Sequence, residues 1–304
     1  MRWLRNISGL FRILIAAVLV FVCAGQLPAQ WVKPPSSEVL RQTRGLVHET
    51  MESDSMGTTV GYSVVLPPSY GSGDRRYPVV YWLHGGGGNE CSSLYTAKYW
   101  DELYTTDSIQ EIILVYPNGF RSGYMDHHNG KIMIESMIIQ ELIPRIDQQY
   151  RTIASRSCRA AHGFSMGASG SLKFAIKYPN LFCSAVAYGG GAIDIENTKM
   201  PFLLKILENN LASDPTLIRQ NNTYHFLDQN LDTVRGNKIE ILMVCGSDDS
   251  WKESAVAFQT ALQMRNVPSQ LRMVAGVGHD LKRLASAEGA AAAKFQDRIF
   301  GRSR

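Results

Sequence analysis

The sequence lacks the features that define several classes of protein. Its 304 residues contain no internal repeat and no low-complexity tract, which excludes a repeat architecture. It has no C-x-x-C pair and no metal-like spacing of cysteine and histidine, so a cysteine-based metal site is excluded. No G-K-[ST] follows the glycine run at 85–88 and no Rossmann spacing is present, which argues against a phosphate cradle.

An excess of charge of one sign is also missing. Lysine and arginine number 31 against 27 acidic residues, which gives a formal net charge of +4. Arg2, Arg5 and Arg12 lie in a predicted targeting segment, and without them 28 basic residues face 27 acidic ones. Proteins that bind nucleic acids usually have an excess of basic residues, which this chain lacks, so no nucleic-acid partner is expected.

No long hydrophobic run is present either. The apolar run at 13–22 has ten residues, too short to span a bilayer comfortably, and it follows a basic start. Residues 1–29 are therefore predicted to be a secretory signal peptide, cleaved after Ala29 or, alternatively, after Gly25. We expect a secreted or periplasmic protein with no stable membrane association after cleavage. The alternative is an uncleaved membrane anchor.

Four of the five cysteines would remain after cleavage, namely Cys91, Cys158, Cys183 and Cys245. Export permits disulfides. Three of the four lie in or beside predicted buried strands, where free thiols are common. Free core thiols and a single bridge therefore stand as alternatives.

Strand and helix patterns alternate along the rest of the chain. Apolar or alternating runs predict strands at 58–66, 77–83, 111–116, 159–161, 181–188, 238–245 and 270–275. Helical patterns lie at 131–149, with a kink expected at Pro144, and at 171–178, 251–264 and 280–300. This alternation predicts the α/β class, with a mostly parallel central sheet and helices on both faces.

Residues 30–304 are expected to form one domain. Two segments depart from the alternation. Residues 30–55 are polar and interrupted by proline, and we interpret them as a leader into the domain. Residues 192–236 show one helical pattern at 202–211 and no strand pattern, which predicts a small insertion over the sheet that forms a partial lid.

The segment 162–170 contains the motif G-x-S-x-G, with Ser165 at its centre. A short strand precedes the motif and a helix follows it, which is the setting of a nucleophile elbow. A serine in such a strained turn needs neighbours without bulk, and Gly163 and Gly167 meet this need. The motif alone arises often by chance, so its partners decide between an idle serine and a nucleophile.

A serine hydroxyl needs a base to take its proton. His279 is the best-placed candidate, because it lies in a glycine-containing loop between the last strand and the last helix. His84 and His162 are expected to be structural. A role in contacting substrate is open for His127 and His128.

The imidazole needs a carboxylate that fixes its tautomer. Asp248 and Asp249 follow a predicted strand, and we choose Asp249; the alternative is a helix cap. The order Ser165, Asp249, His279 matches that of α/β-hydrolases. The developing oxyanion would be bound by the backbone N–H groups of Met166 and of Gly86 in the glycine run.

Several segments together resemble one family. They are GYSVVLPPSY at 61–70, YWLHG at 81–85, QELIP at 140–144, GFSMG at 163–167, YPNLF at 178–182, GSDD at 246–249 and GHD at 278–280. Over about residues 45–300 the chain resembles the esterase D family of α/β-hydrolases. This family includes secreted feruloyl and acetyl-xylan esterases, siderophore esterases, S-formylglutathione hydrolases and mycolyltransferases.

The resemblance implies an α/β-hydrolase fold with Ser165 as nucleophile, Asp249 as acid and His279 as base, and with Gly86 and Met166 as oxyanion donors. Ala168 stands where relatives often have a second glycine, and the aromatic residue that often follows the histidine is missing from 281–283. These departures bear on substrate preference, not on the fold. Substrate contacts are expected from Tyr124, Asp126 and Trp251.

The leading hypothesis is a secreted serine carboxylesterase that acts on acylated polysaccharide, with feruloyl or acetyl esters as substrates. Alternatives are a siderophore esterase, an acyltransferase on the same scaffold, and a catalytically silent binding protein. The triad supplies nucleophile, base and charge stabilisation, so neither a metal nor an organic cofactor is expected. The sequence does not indicate an oligomeric state.

Overall fold

The structure is a computed structural model that describes residues 31–301. The predicted signal peptide therefore lies outside the described residues. Between residues 32 and 301 the chain contains an eight-stranded sheet. Its strands are β1 Leu46–Ser53, β2 Thr58–Val65, β3 Val79–Leu83, β4 Ile113–Pro117, β5 Arg159–Phe164, β6 Ser184–Tyr188, β7 Glu240–Gly246 and β8 Ser269–Val274.

The strand order across the sheet is β1-β2-β4-β3-β5-β6-β7-β8. Strands β3 to β8 pair in parallel, and β2 runs antiparallel to both β1 and β4. Every residue of β3, β4, β6 and β7 is buried. Burial on both faces is why these strands read as continuous apolar runs in the sequence. The mostly parallel sheet is confirmed.

Helices cover both faces of the sheet. They are α1 Ser37–Gln42, α2 Lys98–Tyr104, α3 Ile134–Ser136, α4 Ile143–Gln149, α5 Met166–Lys177, α6 Pro201–Leu211, α7 Pro215–Arg219, α8 Thr223–Gln229, α9 Leu231–Gly236, α10 Lys252–Met264 and α11 Leu281–Gly301. Alternate residues of β3 point to opposite faces. Trp82 packs with α2 and α11 in one cluster, whereas Tyr81 meets Phe182 edge-on beside α5.

A π-helical turn, Met137–Leu142, joins α3 to α4. Pro144 lies in the first turn of α4, where its missing N–H leaves the regular ladder one donor short. The irregularity predicted at Pro144 therefore takes the form of a wider turn just before the proline.

The interpretation of residues 30–55 as a leader is wrong. Helix α1 and strand β1 occupy most of this segment, and β1 pairs with β2 along its whole length. Strand β1 lies at the edge of the sheet, and its burial pattern is mostly half-exposed. An edge strand tolerates polar and charged side chains, which hid the strand in the sequence.

The insertion at 192–236 contains four short helices, α6 to α9, where the sequence indicated one. The prediction at 202–211 corresponds to α6. The N-termini of the next two helices are set by local caps, since Asp214 accepts from the N–H groups of Thr216 and Leu217, and Asn222 accepts from that of Tyr224. Helices of five to seven residues show too few periods to stand out.

All four cysteines in the described part of the chain are free. Three of them are buried and Cys91 is half-buried. The structure therefore excludes the alternative of a single bridge. Within residues 31–301 no helix is long and apolar enough to cross a membrane.

Buried His162 predicts a loss of stability in acid. Its ring lies beside Trp82, its Nε2 is 3.1 Å from Oε1 of Gln296, and burial lowers its pKa to about 4. In the unfolded chain the imidazole binds a proton near pH 6.5, whereas in the folded chain it stays neutral until about pH 4. The stabilisation that comes from the neutral ring is therefore full above pH 6.5 and is lost as the pH falls towards 4. Between pH 7.5 and pH 5 we expect the free energy of unfolding to fall by about 2 kcal/mol through this group.

Urea unfolding at the two pH values measures this fall. The variant His162→Gln removes the titrating group and should lose that share of the pH dependence. An unchanged pH dependence in the variant would contradict the assignment.

Candidate active site

Ser165 lies in a sharp turn between β5 and α5. Its backbone has φ 56° and ψ −114°, which is rare for a residue with a side chain. The turn is held because the N–H of Ser165 donates to the carbonyl of Tyr188 at 2.9 Å. A Cβ on Gly163 would lie 2.2 Å from the Gly167 oxygen, and one on Gly167 would lie 2.0 Å from the Leu83 oxygen. This is the geometry of a nucleophile elbow.

The structure brings Ser165, His279 and Asp249 into hydrogen-bonding contact. Nε2 of His279 lies 2.8 Å from Oγ of Ser165, and Nδ1 lies 2.9 Å and 3.1 Å from the carboxylate oxygens of Asp249. The histidine follows β8 and the aspartate follows β7, so both come from carboxyl ends of parallel strands. With Nδ1–H donating to the carboxylate, Nε2 is free to accept the serine proton.

The neighbouring aspartates have different surroundings. The side chain of Asp249 is fully buried, and Oδ1 also accepts from the N–H of Trp251 at 2.8 Å. Asp248 is exposed, and its carboxylate accepts from the hydroxyl of Ser247 at 2.9 Å. The side of the imidazole also packs against Phe164, with ring centroids 4.7 Å apart. The predicted choice of Asp249 agrees with this geometry.

A neutral histidine holds the glycine loop next to the elbow. Nε2 of His84 accepts from the N–H of Gly119 at 2.8 Å, so Nδ1–H donates to the carbonyl of Gly85, also at 2.8 Å. Burial lowers the pKa of His84 to about 4, which keeps the ring neutral and the two bonds intact. The N–H of Gly88 closes the turn on the carbonyl of Gly85 at 3.0 Å. The structural role of His84 is thus to connect the glycine loop at Gly85 to the loop at Gly119.

The two predicted oxyanion donors border the same cleft as the serine. Gly86 and Met166 line this cleft together with Ser165. A Cβ placed on Gly86 would meet open space, so no neighbouring atom obstructs this face of the loop. Met166 is the first residue of α5, where backbone N–H groups lack partners within the helix. Both residues therefore border the cleft beside the serine, and their role as oxyanion donors stays a prediction.

The cleft beside Ser165 has a volume of about 220 Å³ and a mostly apolar lining. Trp251 is part of the wall and meets Phe202 edge-on, with ring centroids 5.6 Å apart. Much of the rest of the wall comes from the insertion, namely Ile193, Ile195, Leu203 and Ile206.

The three predicted substrate contacts have different locations. Trp251 lines the cleft, so its contact with a substrate stays a prediction. Tyr124 has no exposed surface, and its hydroxyl donates to the carbonyl of His84 at 3.1 Å. Asp126 accepts from the N–H and hydroxyl of Ser136, at 3.0 and 2.5 Å, at the start of the π-helical segment. Neither Tyr124 nor Asp126 borders the cleft, so their placement supports the surrounding loop, and direct contact with a substrate is not supported.

Sequence reasoning missed the cleft residues of the insertion. The signal was present at 202, 203, 206 and 207, where apolar residues recur at helical spacing on α6. It also missed Lys173, a lysine 3% exposed that borders the cleft from α5.

His127 and His128 do not line the cleft in the described part of the chain. Across residues 31–301, no group of three or more metal-ligating side chains is present.

Known proteins resemble this chain in sequence and in fold. A family model described as a putative esterase matches residues 53–300. The chain belongs to this esterase family. An esterase of Mycobacterium tuberculosis is 34% identical over 147 residues, which cover 46% of this chain and 31% of the relative. An endo-1,4-beta-xylanase/feruloyl esterase of Xylanibacter ruminicola is 32% identical over 168 residues, which cover 52% and 23% respectively.

The chain thus spans less than a third of the length of the curated relatives it matches. Among solved structures, a ferulic acid esterase superimposes with a TM-score of 0.71 at 25% identity, covering 84% of this chain and 98% of the other. The α/β-hydrolase fold and the esterase D resemblance predicted from the motifs are confirmed.

Loss of the buried carboxylate should disable the imidazole. In Asp249→Asn the amide can donate to Nδ1, which favours the wrong tautomer of His279, and we expect kcat to fall by about 10⁴-fold with the fold retained. Steady-state kinetics on a 4-nitrophenyl ester measures the loss. The matched variant Asp248→Asn changes an exposed neighbour and should keep full activity. Equal losses in both variants would contradict the assignment.

Proposed function

We propose that the chain is a secreted serine carboxylesterase. The observation that carries the proposal is the chain of contacts from Asp249 to His279 to Ser165, with Nε2 of His279 2.8 Å from the serine hydroxyl. Membership of the esterase family supports the reaction class. A hydrogen-bonded serine, histidine and buried carboxylate at three strand ends is costly to maintain in a protein that performs no acyl chemistry.

The proposed reaction has two halves. Ser165 attacks the ester carbonyl while Nε2 of His279 takes its proton, and Asp249 stabilises the imidazolium that forms. The N–H groups of Gly86 and Met166 bind the oxyanion of the tetrahedral intermediate. His279 then gives the proton to the leaving alcohol, and a water molecule activated by the same imidazole releases the acid from the acyl-enzyme.

We assign the substrate to acylated polysaccharide. Both the relative from Xylanibacter ruminicola and the solved structure described above carry feruloyl or ferulic acid esterase in their names, and the relative's name also includes endo-1,4-beta-xylanase. The apolar cleft with Trp251 and Phe202 suits an aromatic acyl group better than a small polar one. Within the polysaccharide class, this favours feruloyl over acetyl esters.

Export is part of the proposal because polymeric substrates lie outside the cell. It is supported by the basic start, the ten-residue apolar run at 13–22 and the small residue Ala29. We expect the exported protein to begin at Gln30. N-terminal sequencing of the protein recovered from the periplasm or the medium measures this; recovery of the intact chain in the membrane fraction would favour the anchor instead.

The serine assignment predicts a specific loss of ferulate release. Incubated with feruloylated arabinoxylan, the wild-type protein should release ferulate, and Ser165→Ala should be slower by about 10⁶-fold because the acyl-enzyme cannot form. Chromatography of the released acid measures both rates. The control variant Ser171→Ala removes a buried hydroxyl from α5, the helix that follows Ser165. That hydroxyl donates to the carbonyl of Ala168 at 2.9 Å, and the variant should remain active. Retained ferulate release by Ser165→Ala would reject the proposal.

A fluorophosphonate separates the esterase from a silent binding protein. The probe should form an adduct at Ser165 in the wild type and none in Ser165→Ala. Absence of any adduct on the wild type would favour the silent scaffold.

A further inference from the structure

The N–H of Gly86 belongs to a peptide unit whose carbonyl is held by neighbouring groups. This N–H and the carbonyl of Gly85 are parts of one planar trans peptide, so they point in opposite directions. The carbonyl of Gly85 accepts from Nδ1–H of His84 at 2.8 Å and from the N–H of Gly88 at 3.0 Å. These two bonds fix the plane of the peptide and, with it, the direction of the Gly86 N–H.

The glycine run itself contributes little stiffness to this loop. Residues 85–88 are four consecutive glycines, and Gly87 has a φ of 81°, which a residue with a side chain rarely adopts. Peptides in such a run keep their direction only while bonds from outside the run hold them. The carbonyl of His84, which precedes the run, is therefore a point where one outside bond has a large effect.

Tyr124 provides a bond at this point. Its hydroxyl donates to the carbonyl of His84 at 3.1 Å, and its ring lies beside the imidazole, with ring centroids 5.9 Å apart. The tyrosine is fully buried, so water cannot replace the hydroxyl if it is lost. Two successive peptide units are thus held from outside the glycine run, the first by Tyr124 and the second by the side chain of His84.

We infer that Tyr124 is a positioning residue of the active site, whose hydroxyl holds the start of the glycine run so that the Gly86 N–H keeps the direction in which it binds the oxyanion. This assignment rests on the proposed function, in which Gly86 is an oxyanion donor. Within the described residues Tyr124 is not part of the cleft lining, so it acts on the reaction through the backbone of the loop.

The backbone of Tyr124 is strained and is held on both sides. Its φ is 53°, in the left-handed region that bulky residues rarely adopt. Its N–H donates to Oγ of Ser122 at 2.9 Å, and its carbonyl accepts from the ammonium group of Lys173 at 2.7 Å. Strain of this kind persists where the surrounding contacts determine it, and it is concentrated near functional sites.

The lysine that holds Tyr124 connects it to the nucleophile. Lys173 lies on α5, about two helical turns after Ser165, and its ammonium group also donates to Oε2 of the buried Glu135 at 2.7 Å. Bonds between charged groups are among the stronger hydrogen bonds in proteins. Because α5 begins directly after Ser165, Tyr124 links the glycine loop to the helix that starts at the nucleophile. The oxyanion donor and the serine are thereby held relative to each other.

Two glycines make room for the ring of Tyr124. A Cβ on Gly119 would lie 2.4 Å from Cε1 of the ring, and one on Gly170 would lie 2.8 Å from Cδ2. The ring also meets Phe174 edge-on, with centroids 6.3 Å apart. A phenylalanine at position 124 would keep all of these contacts and lose only the hydroxyl.

The variant Tyr124→Phe tests the hydroxyl alone. On 4-nitrophenyl acetate we expect kcat to fall about thirtyfold at unchanged KM, since complete loss of an oxyanion donor typically costs about 10²–10³-fold. The matched control is Tyr77→Phe. The hydroxyl of Tyr77 is also buried and lies 2.9 Å from Oγ of Ser69, but this tyrosine precedes β3, at the end of the strand opposite His84. Its removal should leave kcat at the wild-type value.

Inhibition by trifluoroacetophenone, a trifluoromethyl ketone, separates positioning from a loss of folded protein. Oγ of Ser165 adds to the carbonyl carbon of the ketone, the serine proton moves to Nε2 of His279, and the carbonyl oxygen becomes an oxyanion. In Tyr124→Phe we expect the inhibition constant Ki to rise by the same factor by which kcat falls. Fewer folded molecules would lower kcat and leave Ki unchanged.

A second variant tests the same link from the backbone side. Ser122→Ala removes the acceptor of the Tyr124 N–H and leaves the tyrosine hydroxyl in place. We expect it to raise Ki for the ketone by a smaller factor than Tyr124→Phe does, whereas Tyr77→Phe should keep the wild-type Ki.

Three results would overturn the assignment while leaving the esterase function intact. They are an unchanged Ki in both Tyr124→Phe and Ser122→Ala, a fall in kcat without a rise in Ki, and an equal rise of Ki in Tyr77→Phe. A wild-type protein that does not hydrolyse the ester and is not labelled by a fluorophosphonate at Ser165 would instead reject the esterase function, and the positioning role with it.

Discussion

Close backbone packing around the nucleophile is the constraint on which the rest of the structure depends. The carbonyl oxygens of Leu83 and Gly167 occupy space that a Cβ at residues 167 and 163 would need. Strands β3 and β5 and helix α5 can therefore meet without intervening side chains. This contact sets the serine, the first turn of α5 and the start of the glycine loop in fixed relation, before any triad partner is considered. The strained φ of Ser165 is retained because the surrounding strands determine it.

The parts of the site that sequence reasoning predicted share one property, which is that local chemistry fixes them. Glycines flanking Ser165 and aspartates directly after β7 mark positions where strand ends meet, and parallel strands bring those ends to one edge of the sheet. The order of Ser165, Asp249 and His279 along the chain then reduced the number of candidates for the acid and the base. The choice between Asp248 and Asp249 needed the fold, because burial and the contact to His279 distinguish them.

The parts that were missed depend on contacts between distant segments. Strand β1 is polar because it lies at an edge, so only its pairing with β2 reveals it. Tyr124 was expected at the substrate because of its loop, but its burial and its bond to His84 place it behind that loop. The apolar residues of α6 that form the cleft wall recur at helical spacing in the sequence, but this spacing does not show what the apolar face contacts. Only the packing of the insertion shows that part of this face turns towards the serine.

The free cysteines determine how the folded chain responds to oxidants. Burial raises the pKa of Cys91 and of Cys183 to about 11 and that of Cys245 to about 12, so little thiolate forms near neutral pH. Exchange with oxidants requires thiolate, and it is correspondingly slow once the protein has folded. Within the described residues the fold therefore requires no disulfide, and these three thiols resist covalent cross-linking once the chain has folded.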